Sequence, residues 1–165
     1  MKLDHLYKLF VSQLKDAYSA ENQFLEVLPV FEKQARSEKL KSAIRAHIGE
    51  TRKQIERLTG IFDGLEYAPG GHRCKAAEGL VKEAKEICDE VNDPSVMDAA
   101  IICAAQKIEH YEIATYGCLR SYARILGNDR IVAALEQTLD EEHKADHHLT
   151  EMAEQWVNAF AMQQT

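Results

Sequence analysis

The sequence predicts an all-α fold, four long helices packed as a bundle with one long crossover carrying a short fifth helix. Three observations predict it. Apolar residues recur at three- and four-residue steps along most of the chain. Only eight Gly and three Pro interrupt the 165 residues, too few for a turn-rich β fold, and 45% apolar content argues against disorder. The joints between the helical stretches run short, long, short, with roughly 30 residues in the long one.

Each element has its own signal. A first helix, about 3–36, carries Phe10, Leu14, Ala17, Phe24, Leu28 and Phe31 on one stripe, with Pro29 expected to kink it or end it early. Ser37 can cap a second helix, about 38–63, with Leu40, Ile44, Thr51, Ile55, Leu58 and Phe62. The stretch "DGLEYAPGGH", residues 63–72, reads as a loop by its Gly and Pro content, and the short helix follows at about 73–90. In "NDPS", Asp93 as N-cap with Pro94 at the first helical position predicts a third long helix, about 94–126. Gly127 suits the residue just past its end, and Asn128 or Asp129 can cap the last helix, about 129–158. Residues 1–165 are thus expected to form one domain. Two tight hairpins joined by a long crossover is the ferritin-like variety of four-helix bundle, whereas an up-down bundle would use three short loops.

Charge and cysteine content set the function classes aside that need other compositions. Twenty basic residues against 27 acidic give a net charge of −7, which works against nucleic-acid and anionic-membrane partners. No apolar run is long enough to span a bilayer, and the start "MKLDHLYKLF" has no leader-like apolar core. Cys74, Cys88, Cys103 and Cys118 lack any metal-site spacing and read as free thiols filling space in a cytoplasmic protein.

Carboxylates interrupt the apolar stripes. On the first helix Glu21 is the one polar member of the series 10, 14, 17, 21, 24, 28, 31. The third-helix series 102, 105, 109, 112, 116, 119, 123, 126 reads Ile, Ala, Glu, Glu, Tyr, Leu, Ala, Leu; the fourth-helix series carries Glu142 and Asp146 between Leu139 and Leu149. On the second helix His47, position 50 or 51, and Gln54 share a side, which brings in Glu50. Each interruption falls near mid-helix, so Glu21, Glu50, Glu109, Glu112, Glu142 and Asp146 are expected in one layer of the bundle. Carboxylates buried together cannot all stay ionised without a counter-charge, and no lysine lies on the inward stripes between them. A pair of divalent cations with bridging carboxylates meets that need, and iron or manganese suits such an oxygen-rich set.

The pieces "DAYSAE" (16–21), "HIGETRKQIERL" (47–58), "AAQKIEHYEIATYG" (104–117) and "LDEEHKAD" (139–146) together resemble the YciF-like (DUF892) family of ferritin-like proteins. The resemblance implies a bacterial, cytoplasmic, homodimeric, stress-associated bundle. Ferritin-like centres take a Glu from each of two helices and Glu-x-x-His from the other two. Carried over, Glu21, Glu50, Glu109 and Glu142 match the four glutamates, and Glu112 resembles the extra carboxylate of rubrerythrin-type sites. Both histidines are missing: Lys53 and Ala145 stand where they would be, and Gln54 and Asp146, one residue on, are the nearest replacements. Such a set favours Mn²⁺, Fe²⁺ or Mg²⁺, or holds no ion at all.

The expected metal ligands are therefore Glu21, Glu50, Glu109, Glu112, Glu142, Asp146 and Gln54, with Glu50 and Glu142 bridging. His47, Tyr18 and Tyr116 are expected to support them by hydrogen bonds or as an aromatic wall. His110, His143, His147 and His148 fall one residue off the stripes, and Arg45, Arg52, Lys53 and Arg57 read as a solvated face. The expected activity is redox chemistry with O₂ or peroxide in stress protection. The alternative is a non-catalytic structural or interaction protein with a metal-free acidic layer.

Overall fold

A computed structural model describes residues 3–162. The outermost residues of the expected domain, 1–2 and 163–165, lie outside the described residues. The chain forms α1 (Leu6–Gln34), α2 (Glu38–Gly64), α3 (Lys75–Glu90), α4 (Met97–Ile125) and α5 (Asp129–Met152), followed by a π-helical turn (Ala153–Val157) and α6 (Asn158–Met162). α1 packs on α2 and α4, α5 packs on α4 and, more sparsely, on α2, and α3 lies outside against α1 and α4. The fold is all-α and ferritin-like: hairpins α1–α2 and α4–α5 joined by a crossover that carries α3.

Local chemistry sets most of the boundaries. The Ser37 hydroxyl accepts from the backbone N–H groups of Lys39 and Leu40 and starts α2. Gly127, at φ 74°, ends α4: its N–H donates to Arg124 O and that of Asn128 to Ala123 O, and Asn128 in turn caps α5 through Ile131 N–H. Pro29 sits on the exposed side of α1, where its missing N–H is tolerated, and the helix continues to Gln34. The start of α4 differs from the sequence expectation. Asp93 accepts from Ser95 N–H and closes a turn over Pro94, so the helix begins at Met97. Asp98 is then free to receive the backbone N–H groups of Arg36 and Ser37, at 2.7 and 3.0 Å, clamping the α1–α2 joint onto α4.

The apolar core is in two parts. One surrounds Phe24, Phe31, Leu40, Ile44, Ile101 and Ile108, with α3 and the end of α5 closing it. The other surrounds Phe10, Leu14, Leu58, Phe62, Leu119 and Leu135. Each large side chain buried here contributes about 1.5–3 kcal/mol. The first core gathers the end of α1 with the start of α2 and of α4, the second their opposite ends, so neighbouring long helices run antiparallel. Between the two cores lies a polar layer at mid-height. The α4 stripe reaches the core as far as Ala123; Leu126 at its end turns toward solvent. Cys74 and Cys88 are core residues, while Cys103 and Cys118 are exposed.

Candidate metal centre

The separating layer is built one residue per turn. All seven members of the α1 series, Glu21 among them, are buried. On α4 the 3.6-residue period carries Glu109 and Glu112 inward between Ile108 and Tyr116, and on α5 it carries Glu142 between Leu139 and Leu149. On α2 the inward series is His47, Thr51, Gln54 and Leu58. Four glutamates and a histidine therefore meet with almost no contact with water: Glu21, Glu109, Glu112 and Glu142 are each at most 3% exposed.

The tightest group is His47, Glu109, Glu112 and Glu142, each with one potential ligand atom within 4.8 Å of the others'. His47 Nε2 stands 3.3 Å from Glu109 Oε1. Glu21 faces this group from α1 and accepts a hydrogen bond from the Tyr116 hydroxyl. Burial raises the Glu21 carboxyl to about 8, with the charge of Glu142 adding to the effect and Tyr116, His47 and Arg57 opposing it. Burial likewise raises Glu109 to about 8, against a shared hydrogen bond with Glu142. Glu112 and Glu142 lie well above the ordinary carboxylate range, through burial first and then through their acidic neighbours. Burial alone would lower His47, but Glu50 and the charges of Glu142 and Glu21 outweigh it and its imidazole is raised.

The other expected residues lie around this group. Gln54 is buried and donates to Glu142 and, at 3.2 Å, to Glu141. Glu50 stands at the rim, its side chain 44% exposed and one oxygen 3.6 Å from His47 Nδ1. Thr51 takes the inward place on that turn. Asp146 is half-buried and receives the Gln106 amide at 3.1 Å, with His110 at 3.4 Å. Tyr18 packs edge-on against Phe62 in the second core, at 6.1 Å between ring centroids. Tyr111 bonds to Cys74 Sγ, at 3.1 Å, and so ties the start of α3 to α4 beside the layer.

Arg57 and Glu141 were not expected at the site. Arg57 is not on a solvated face: it is half-buried and grips both Glu141 oxygens at 3.1 Å while also donating to Thr138. Burial tends to raise Glu141, but Arg57, Gln137 and Gln54 outweigh it and hold the carboxyl below its ordinary range. Replacing Arg57 by Met keeps the apolar stem and deletes the charge, leaving Glu141 without its main partner. Arg57→Met is expected to cost about 1–2 kcal/mol in urea unfolding at pH 7. A depressed carboxyl stabilises only above its unfolded pKa, so the cost should shrink as pH falls through the folded value. An equal cost at pH 7 and at about pH 3 would assign it to lost packing instead.

The donor set fits a hard divalent cation. One oxygen each of Glu21, Glu109, Glu112 and Glu142, together with His47 Nδ1 and Gln54 Oε1, is buried without a hydrogen-bond partner among the described residues. Orphaned buried acceptors are expensive, and oxygen-rich sets converging from three or four helices are what such cations coordinate. The nearest cations, Arg57 and a raised His47, are fewer than the four acids.

Comparison with known proteins agrees with this architecture. The family described as "Domain of unknown function (DUF892)" matches residues 5–162. Protein YciF of Escherichia coli (strain K12) is 39% identical over 162 residues, covering 98% of both chains. Its crystal structure, that of a protein described as a stress protein, superposes with a TM-score of 0.87, over 91% of this chain and 95% of that one. A Rhodopseudomonas palustris protein named YcfI is 42% identical with a TM-score of 0.88, over 90% of this chain and 95% of that one. A Xanthomonas campestris protein, 22% identical with a TM-score of 0.78 over 97% of this chain and 99% of that one, shares the fold. A family match across the polar layer and both cores, with relatives this similar over nearly their whole length, places the chain in the DUF892 family.

Proposed function

We infer that the layer is a carboxylate-rich dinuclear centre for iron or manganese, in a protein that serves stress protection. The observation that carries this reading is the convergence of three buried glutamates, Glu109, Glu112 and Glu142, on His47, with Glu21 facing them and an orphaned oxygen on each of the four. Glu109, Glu112, Glu142 and Glu21 would hold the ions, with His47 beside them; Glu50 at the rim and the Gln54 carbonyl are within the same neighbourhood, while Asp146 is engaged by Gln106. Bound there, the ions would supply redox chemistry with O₂ or peroxide. The chain's own contribution is positioning. Tyr116 orients Glu21, Gln54 orients Glu142, and the two apolar cores close the layer from above and below. The relative described as a stress protein supports the biological setting, and cytoplasmic location with homodimeric assembly belongs to the same reading. No helix among the described residues is long and apolar enough to cross a membrane.

A structural protein with a metal-free layer is the competing reading. What favours it is the loss of both Glu-x-x-His pairs: Lys53 and Ala145 stand where the histidines would be. Metal analysis separates the two. Protein produced in Fe- or Mn-supplemented medium is expected to carry about two equivalents, lost in Glu109→Ala and Glu142→Ala. Metal-free wild-type protein from both media would overturn the dinuclear reading.

A further inference from the structure

The buried layer leaves one expected ligand, Glu50, at its edge. The layer is closed on most sides: Glu21, Glu109, Glu112 and Glu142 are each at most 3% exposed, and the two cores cover it above and below. α1 packs on α2 and on α4, and α4 on α5, whereas α2 meets α5 only sparsely. The groove left between α2 and α5 has a cavity volume of about 640 Å³, and Glu50, His47 and Glu109 all line it. Solvent therefore approaches the layer from this side.

Glu50, His47 and Glu109 stand in a line from the rim to the interior. The i, i+3 spacing on α2 places Glu50 beside His47, and its side chain is 44% exposed against 2% for that of Glu109. The His47 ring bridges the two depths: Nδ1 faces Glu50 Oε2 at 3.6 Å, and Nε2 faces Glu109 Oε1 at 3.3 Å. Nδ1, turned toward the rim, is buried without a hydrogen-bond partner among the described residues. Glu50 has no ion-pair partner among the described residues except His47. Glu141, the other acid near this end of the groove, is already gripped through both oxygens by Arg57. A divalent cation entering a closed layer must exchange its water for protein donors, and stripping all of it at once is costly. A carboxylate half in water can take the first of those places while the remaining waters stay.

We infer that Glu50 is the entry carboxylate of the layer: it takes a divalent cation from solvent and passes it by way of His47 to Glu109. This role rests on the dinuclear reading and extends it from where the ions sit to how they arrive. An entry group speeds capture and release alike, so its loss slows both by one factor and leaves the dissociation constant nearly unchanged. Loss of a resident ligand instead speeds release and weakens binding. Co²⁺ mixed with metal-free protein in stopped flow, followed by its visible absorption, reads loading; excess EDTA mixed with the loaded protein reads release. Glu50→Gln should slow both at least about tenfold, with the dissociation constant within about threefold of the wild type. About two equivalents should still bind. Glu50→Asp should restore part of the rate. Glu56→Gln removes an equal charge from an exposed site on the same helix, and should change neither rate by more than about twofold. Faster release from Glu50→Gln, with an equivalent lost, would overturn this role and make Glu50 a resident ligand. Unchanged loading in Glu50→Gln would overturn it as well, and so would equal slowing in Glu56→Gln, which would leave only a general attraction by surface charge. In each of these outcomes the wild type still takes up its ions. A wild type that binds no Co²⁺ would overturn the dinuclear reading itself, and the entry role with it.

Discussion

In the absence of metal the protein is expected to become less stable as pH rises from about 5 to about 8, the reverse of ordinary acid denaturation. The sign follows from linkage. Glu21 and Glu109 have folded-state carboxyls raised to about 8 from an ordinary 4.5. Between those values the folded state holds protons that the unfolded chain has released, so unfolding free energy falls with pH. The stabilisation is fully present below the unfolded pKa and lost as pH passes through the folded one. A carboxyl that keeps its proton over this range contributes a slope of about −1.4 kcal/mol per pH unit. A domain of this size has only about 5–15 kcal/mol in total, so urea midpoints at the two pH values should be plainly separated. Saturating Mn²⁺ should invert the trend, because coordination demands the deprotonated acids and strengthens as protons leave. A metal-free midpoint that is flat or rises over this range would show that the carboxylates are ionised in the folded state and that water reaches the layer.

The readability of this protein in sequence varies with how cleanly each helix separates its faces. On α1 the 3–4 spacing is unambiguous, and all seven positions from Phe10 to Phe31 are buried with Glu21 in their midst. The same holds on α4 from Ile102 to Ala123. α2 is richer in charge, and two adjacent residues compete for one inward place. Thr51, a small hydroxyl, takes it, and Glu50 is rotated about 100° to the rim. Arg57 and Glu141 could not be found from periodicity, because each is an ordinary surface residue on its own helix and acquires its meaning only where α2 meets α5. Asp93 and Pro94 offered a helix start with the right residues, yet the turn they form ends before Met97; Asp98, spending its carboxylate on the α1–α2 joint, had no local signal at all. The layer's height was legible because mid-helix positions coincide when antiparallel helices of similar length pack side by side. The loose fit of α2 on α5, which opens the groove, depends on side-chain volumes across the interface and was not.

Glu112 offers the sharpest test of what the layer is for, because its replacement by Leu should change stability in opposite directions with and without metal. The carboxyl is 3% exposed, one oxygen has no partner, and its neighbours Glu21, Glu142 and Glu109 all oppose its ionisation. Leu is of similar size, suits a helix and needs no partner. Near pH 8 in the metal-free protein, Glu112→Leu should therefore raise unfolding free energy by about 1–4 kcal/mol, the range seen when buried charged groups give way to apolar ones. The gain should fade toward about pH 5, where the native acid is neutral and costs less. With Mn²⁺ present the order should reverse. The wild type gains about 2.7 kcal/mol at a free-ion concentration 100 times its dissociation constant, and a variant lacking one ligand gains little. Should Glu112→Leu instead destabilise the metal-free protein at every pH, the carboxyl would be part of a satisfied hydrogen-bond network, and the layer would be a structural element rather than a metal site.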